Sequence, residues 1–263
     1  MRLFYELSMR SFQRQLVYRT AALAGLVTNF FFGIIRIAVL VALYGSRQEV
    51  AGIPIQGAIT FTGLSQATIG ILSLFSWYDL MTNVYTGAIS SDLLKPMSLF
   101  HYWLSHDFGR AIGQLLLRGL PMMAAYAIFF GITTPKSIWQ WSAFLAALTL
   151  AWLVSFSWRF LVNLSAFWIP NALGFVRFAF ILSWFMSGFL MPLRYFPDWF
   201  IKVCDFTPFP YTINTVVEIY LGVLQGPAIA QALLAQLLWG VGLILAGQVV
   251  LRFGIRKLVI LGG

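Results

Sequence analysis

Charge is what this chain of 263 residues has least of. Only 10% of it is Asp, Glu, Lys or Arg, against roughly 25% in a soluble domain. With 60% hydrophobic and 17% aromatic residues, that scarcity excludes a water-soluble globular protein and points to an integral membrane one. Cysteine is limited to Cys204, so no disulfide forms within the chain and the redox compartment stays open. None of the eight acids falls midway along an apolar run, and Asp79 sits only at the inner end of one. Ion-coupled carriers place ionisable groups within the membrane, so that class lacks its expected groups. The two histidines, His101 and His106, share one polar stretch, which leaves an intramembrane Ser-His protease without a base. Their five-residue spacing suits ligation from one helical face poorly, so no metal is expected at His101, His106 and Asp107. A phosphate-binding loop is missing too. Lys136-Ser137 follows Pro135 where G-x-x-x-x-G-K-[ST] needs a glycine, and Phe130 stands where it needs the first. No catalytic residue and no bound cofactor are expected; if ATP drives this protein, another chain binds it.

What is present is apolar length. Six runs, roughly 20–44, 57–78, 111–132, 138–158, 172–192 and 228–251, approach the ~20 residues that cross the hydrocarbon layer as a helix. Backbone groups in lipid must bond within their own segment, and continuous runs do not fit the alternation of a barrel strand. The expected fold class is therefore an all-α integral membrane protein with six transmembrane helices. The first run is too long for a signal-peptide core and no A-x-A-like site ends it, so an uncleaved anchor is expected.

Lys and Arg orient such a bundle. With the N-terminus inside, Arg2, Arg10, Arg14, Arg19, Lys95, Arg110, Arg118, Arg159, Arg177, Arg252, Arg256 and Lys257 fall at or near the cytoplasmic side. Arg47, Lys136, Arg194 and Lys202 fall outside. Six spans return the C-terminus to the cytoplasm. This bias accounts for the net charge of +9 without nucleic acid as a partner.

Three stretches flank the spans. Residues 1–19 place Tyr5, Met9, Phe12 and Leu16 on one helical face and Arg2, Glu6, Arg10, Gln13 and Arg14 on the other. That pattern fits an amphipathic helix lying in the interface, although a basic topology signal reads similarly. The remaining 20–263 form the six-span domain. Its outer segment 193–227 combines Pro197, Pro208 and Pro210 with Tyr195, Phe196, Trp199, Phe200 and Phe209. The prolines forbid one continuous helix and the apolar content argues against a solvated loop. Short re-entrant helices reconcile the two, one of them at Ile213–Leu224. On the other side, the loop 79–110 contains GAISSDLLKPMSLFHYWLSHDFGR from Gly87 to Arg110, polar groups alternating with Leu93, Leu94, Met97, Leu99, Phe100 and Trp103. It reads as a cytoplasmic docking element or, more plainly, as an interfacial loop.

Two arginines sit inside apolar runs. Arg36 either lines a central pathway or pairs with a partner subunit, or else it snorkels to the outer headgroups beside Tyr44 and Arg47. Arg118 is expected to snorkel inward. Gly25, Gly33, Gly63, Ala67, Gly70, Gly109 and Gly113 stand at helix-packing spacings, although glycine is common in membrane helices generally.

An amphipathic first helix, six spans, a polar loop between spans two and three and a Pro-rich aromatic outer segment together resemble the ABC type-2 exporter permeases, over nearly the whole chain. Gly87-x4-Asp92-Leu-Leu-Lys-Pro-Met-Ser98, followed by Asp107-Phe-Gly-Arg110, is similar to the subgroup whose permeases are encoded in pairs beside one ATPase. Ser187-Gly-Phe-Leu-Met-Pro-Leu-Arg-Tyr-Phe-Pro-Asp-Trp199 and Pro208-Phe-Pro-Tyr211 resemble the outer region of that subgroup. The resemblance implies a non-catalytic half-transporter in the bacterial inner membrane. Its partners would be ATP-binding-cassette ATPase subunits, which carry the ATP and magnesium, and a second permease, identical or divergent. It also implies a coupling helix at about Ser91–Phe100, with Ser91, Asp92, Leu93, Leu94, Lys95, Pro96 and Met97 meeting the ATPase. Pro96 is tolerated there if the helix starts near Lys95. A translocation pathway lined by Asn29, Arg36, Phe75, Phe180 and Trp184 would suit hydrophobic or amphipathic cargo. Two rivals remain: a membrane enzyme acting on lipid or isoprenoid substrates through Asp92, His101, His106 and Asp107, and an ion-coupled carrier.

Overall fold

A computed structural model describes residues 2–257, most of them helical; residues 258–263 of the expected six-span domain lie outside the described residues. The chain opens with α1 (Arg2–Val17) and α2 (Arg19–Tyr44), separated by a kink at Tyr18. A two-residue hairpin, β1 (Glu49–Val50) with β2 (Ile53–Pro54), departs from the all-helical expectation. Then come α3 (Ile55–Leu72), α4 (Asp79–Tyr85) and α5 (Ile89–Leu93). Helices α6 (Leu99–Gln114) and α7 (Leu120–Phe130) are joined by a π-helical turn, Leu115–Gly119, into one rod. Pro121 explains that turn, since it offers no N–H to the carbonyl a turn earlier and its ring crowds that carbonyl. The remainder is α8 (Ile138–Asn163), α9 (Leu173–Met186), α10 (Asp198–Asp205), α11 (Asn214–Leu221) and α12 (Pro227–Ile255).

Among the described residues, four helical stretches are long and apolar enough to cross a membrane: Arg19–Tyr44, Leu99–Phe130, Ile138–Phe167 and Pro227–Ile255. Two of the six expected runs differ from them, each for a physical reason. Run 57–78 becomes α3, which stops at Leu72 where Ser73 turns left-handed (φ 47°). α3 is surrounded by protein rather than lipid, with Thr60, Thr62, Ser65, Gln66 and Thr68 all buried. Four of those hydroxyls donate to carbonyls three or four residues back at 2.8–3.0 Å. A polar helix is stable in a dry bundle when its hydroxyls are satisfied this way. Run 172–192 becomes the 14-residue α9, about 21 Å long. It ends at Gly188 (φ 78°), where a Cβ would meet the Asn214 side chain at 2.9 Å. Beyond it, Asn214 donates its N–H to Ser187 O (3.0 Å) and accepts at Oδ1 from Leu193 N–H (2.9 Å).

The main core joins Phe61, Leu64 and Leu72 of α3 to Phe144, Ala147 and Ala151 of α8 and to Val216, Val217, Ile219 and Tyr220 of α11. The short helix expected at Ile213–Leu224 is thus present as α11, and it lies within the core. A second cluster, Trp77, Leu80, Ile89, Phe100, Trp103, Phe156 and Phe160, holds α4, α5 and α6 against α8.

α1 meets α6 through Phe4, Ser8, Ser11, Phe12 and Gln15, while Tyr5 and Leu16 of the expected apolar face are exposed. Ser8 Oγ donates to Ser105 O at 3.0 Å and Ser11 Oγ to His106 O at 2.6 Å. The backbones approach so closely that a Cβ on Gly109 would stand 1.9 Å from Ser8 O, and one on Gly113 2.7 Å from the Gln15 side chain. Gly33 and Gly63 likewise leave room for the Tyr126 ring.

Candidate functional site

The loop between α3 and α6 turns back on itself around one carboxylate. Asp92, at the end of α5, is buried, accepts from Asn83 Nδ2 at 2.9 Å and pairs with Lys95 Nζ at 2.6 Å. The lysine also lies over the Tyr102 ring, 3.6 Å from its centroid. Burial disfavours the Lys95 ammonium, but Asp92 and Tyr102 outweigh it and hold this amine above the ordinary lysine range. The expected helix Ser91–Phe100 is not a single element. α5 ends at Leu93, Pro96 lies in the following turn, and Ser98 caps α6 by accepting from His101 N–H. A proline cannot extend a helix it would interrupt, so the chain breaks there and restarts on a capping serine. The expected apolar ridge is divided as well. Leu93 packs into the second core cluster, whereas Leu94 is 86% exposed. Ser91 and Pro96 are exposed and Met97 half-buried.

Fifteen residues after Asp92, α6 carries a second carboxylate, Asp107. The Asp107 side chain is fully buried. It accepts from Arg110 Nε at 2.9 Å, from Arg159 Nη1 and Nη2 at 3.0 and 2.9 Å, and from Trp152 Nε1 at 2.8 Å. Arg110 also donates to the carbonyls of Gly70, through Nη1, and Ile71 (2.9 Å) at the end of α3. Farther along α8, Asn163 Nδ2 donates to Trp77 O (3.0 Å) and its Oδ1 accepts from Met81 N–H (3.1 Å). The second half of α6, the end of α3, α8 and the 73–81 segment therefore meet in one buried polar joint. Arg159 is thus more than a topology charge; its place in an apolar helix, with Ser155 one turn before it, is the signal the sequence offers for this role.

Of the expected pathway residues, three converge. Arg36 reaches inward from α2, donating to Ser65 Oγ (3.1 Å), Leu190 O (3.0 Å) and Phe189 O, with its guanidinium 4.5 Å from the Phe189 ring centre. Phe75 and Trp184 close on that same ring at 5.3 and 6.0 Å between centroids. The outward snorkel expected for Arg36 is thereby corrected: freed carbonyls where α9 breaks are nearer partners than any headgroup. Phe180 is instead buried against Tyr78, 5.6 Å away. Asn29, two turns before Arg36, lies half-buried on α2. Arg118 lies over Gly25 of α2 and donates to Gln114 Oε1 at 3.4 Å.

This arrangement ties α3, α6 and α8 together. With its carboxylate saturated by guanidiniums and an indole, Asp107 has no free oxygen for acid–base work, which removes it from the set considered for a lipid enzyme. A family model described as an ABC-2 family transporter protein matches residues 30–262. No curated protein matches the chain.

Proposed function

The chain belongs to the ABC-2 transporter family, and we propose that it forms half of the translocation pathway of an ATP-driven exporter, moved through the turn between α5 and α6. Membership makes it a multi-pass membrane permease of an ABC-type transporter and implies ATP-binding-cassette ATPase partners. The finer reading is a non-catalytic subunit, with ATP and magnesium bound by the partner, beside a second permease, identical or divergent. α1 lies in the interface, α3 and α9 complete six crossings, and segment 193–227 caps the outer side. Both termini face the cytoplasm of a bacterial inner membrane.

One observation carries the coupling role. Leu94, a large apolar side chain 86% exposed, stands at the tip of a turn whose neighbouring charges, Asp92 and Lys95, neutralise each other. An apolar tip on a charge-balanced turn suits a greasy groove on a partner better than water. The joint around Asp107 supports transmission, because a push on the turn reaches α3, α6 and α8 together. Movement of those helices against α2 and α9 would open the aromatic ring of Phe75, Trp184 and Phe189 around Arg36 to hydrophobic or amphipathic cargo. Phe180 backs that ring, and Asn29 extends it along α2.

The test compares two substitutions in the complex reconstituted with its ATPase. Leu94→Asp is expected to leave the fold intact and abolish cargo-stimulated ATP hydrolysis. Unchanged stimulation in a folded Leu94→Asp complex would refute the coupling role. Leu93→Asp, at a partly buried position packed against the second core cluster, is expected to destabilise the chain itself by about 1–3 kcal/mol.

A further inference from the structure

Between α1, α4 and the first turns of α6 lies a cleft of about 670 Å3 to which the coupling reading assigns no role. Helix lengths set its depth. The α6–α7 rod has 32 residues, about 48 Å, against ~30 Å of hydrocarbon. Its polar end, Leu99 to Arg110, is the part that must project. Gln114 Nε2 donates to Gln15 Oε1 at 2.8 Å, and Gly25 lies against Arg118, so the start of α2 is level with that end. The cleft therefore opens among the lipid headgroups.

Its chemistry is two-signed. At the floor, Asp107 is shared by Arg110 and Arg159, which leaves one positive charge in excess. Arg14 faces the cleft from α1 and Asp79 from α4; both are exposed, and neither forms an ion pair among the described residues. Tyr18, Trp77, Tyr102 and Trp103 supply aromatic walls of the kind that settles at headgroup depth. Two buried polar atoms there have no partner among the described residues: Trp103 Nε1, on a side chain only 8% exposed, and His106 Nε2. A buried indole N–H without an acceptor is costly.

We propose that this cleft holds the headgroup of an aminophospholipid, its phosphodiester toward Arg14 and its ammonium toward Asp79. Charge-assisted bonds at both ends of one headgroup would select it from the bilayer. The proposal rests on the chain being a membrane protein and is independent of ATPase docking at Leu94, so each can fail alone. Native mass spectrometry of the full chain in mild detergent, with equimolar phosphatidylethanolamine, phosphatidylglycerol and phosphatidylcholine, tests it. Phosphatidylethanolamine is expected to be retained most, because the quaternary nitrogen of choline has no N–H to donate. Asp79→Asn is expected to erase that preference over phosphatidylglycerol, a shift of roughly tenfold for one lost charge-assisted contact. Arg14→Gln is expected to weaken retention of all three lipids. Both side chains are exposed, so unchanged melting temperatures will show that the variants fold. Equal retention of the three lipids overturns the proposal and leaves the cleft to the side chains of a partner protein. So does a preference that survives Asp79→Asn, or retention indifferent to Arg14→Gln.

Discussion

Replacing Asp107 by Asn changes almost no volume and removes one charge from the most buried polar joint in the molecule. The asparagine keeps one acceptor oxygen, while its NH2 group must face donors: the Arg159 guanidinium or the Trp152 indole N–H. Two guanidiniums, with side chains 18% and 2% exposed, then stand together without a counterion. Removing one partner from a buried ion pair costs about 3–5 kcal/mol. For a chain of this size that corresponds to a fall of roughly 6–20 °C in melting temperature, read by tryptophan fluorescence of the detergent-solubilised protein. The double variant Asp107→Asn/Arg159→Met separates this cause from simple loss of packing. It returns the joint to a single excess positive charge, so its destabilisation is expected to be smaller than the sum of the single losses by about 1–3 kcal/mol. Asp79→Asn, at an exposed acid, is expected to move stability by less than about 0.5 kcal/mol. A single-variant loss near that of Asp79→Asn, or strictly additive losses in the pair, would refute the claim that Asp107 holds two arginines in a dry joint.

Two further outcomes follow from close contacts. Gly109→Ala places a methyl group against Ser8 O, so α1 must lift from α6; faster tryptic cleavage at Arg10 and Arg14 is expected, and an unchanged rate would contradict that packing. Arg36→Ala frees the carbonyls of Phe189 and Leu190, so faster amide hydrogen exchange is expected around residues 186–192 with little change elsewhere. An arginine pointing to the headgroups would leave that segment untouched.

The long apolar runs were legible because lipid contact demands length and continuity: α2, α8 and α12 lie where three of those runs stand, while the α6–α7 rod covers 111–130 but begins at Leu99, within the expected loop 79–110. α3 was legible as an apolar stretch but not as a protein-enclosed helix, since its buried threonines and Ser65 are satisfied by their own backbone and leave no mark at a distance. The register around Pro96 was out of reach because two readings shared one sequence: a helix beginning at Lys95, or one ending at Leu93 and restarting at Ser98. Ser98 as a cap was the local signal that decided it. The side of α1 that meets α6 was not legible, because hydrophobicity ranks Tyr5 and Leu16 above Ser8 and Ser11, whereas close approach to Gly109 and Gly113 needs small side chains. Asp107 and Arg159 stand 52 residues apart in sequence, and no periodicity links them; only the fold shows that one neutralises the other. The inward reach of Arg36 depended on where α9 breaks, which Gly188 sets.

The measurement that bears most directly on the central claim is photo-crosslinking from position 94. With benzoylphenylalanine replacing Leu94 in the tagged full-length chain, irradiation of native membranes is expected to join it to an ATP-binding-cassette subunit. The same probe at Trp139, which is exposed at the start of α8, at the far end of that helix from the Asp107 joint, is expected to give no such product. An ATP-binding subunit captured from Trp139 and not from Leu94 would contradict the account, placing the drive at the wrong end of the molecule.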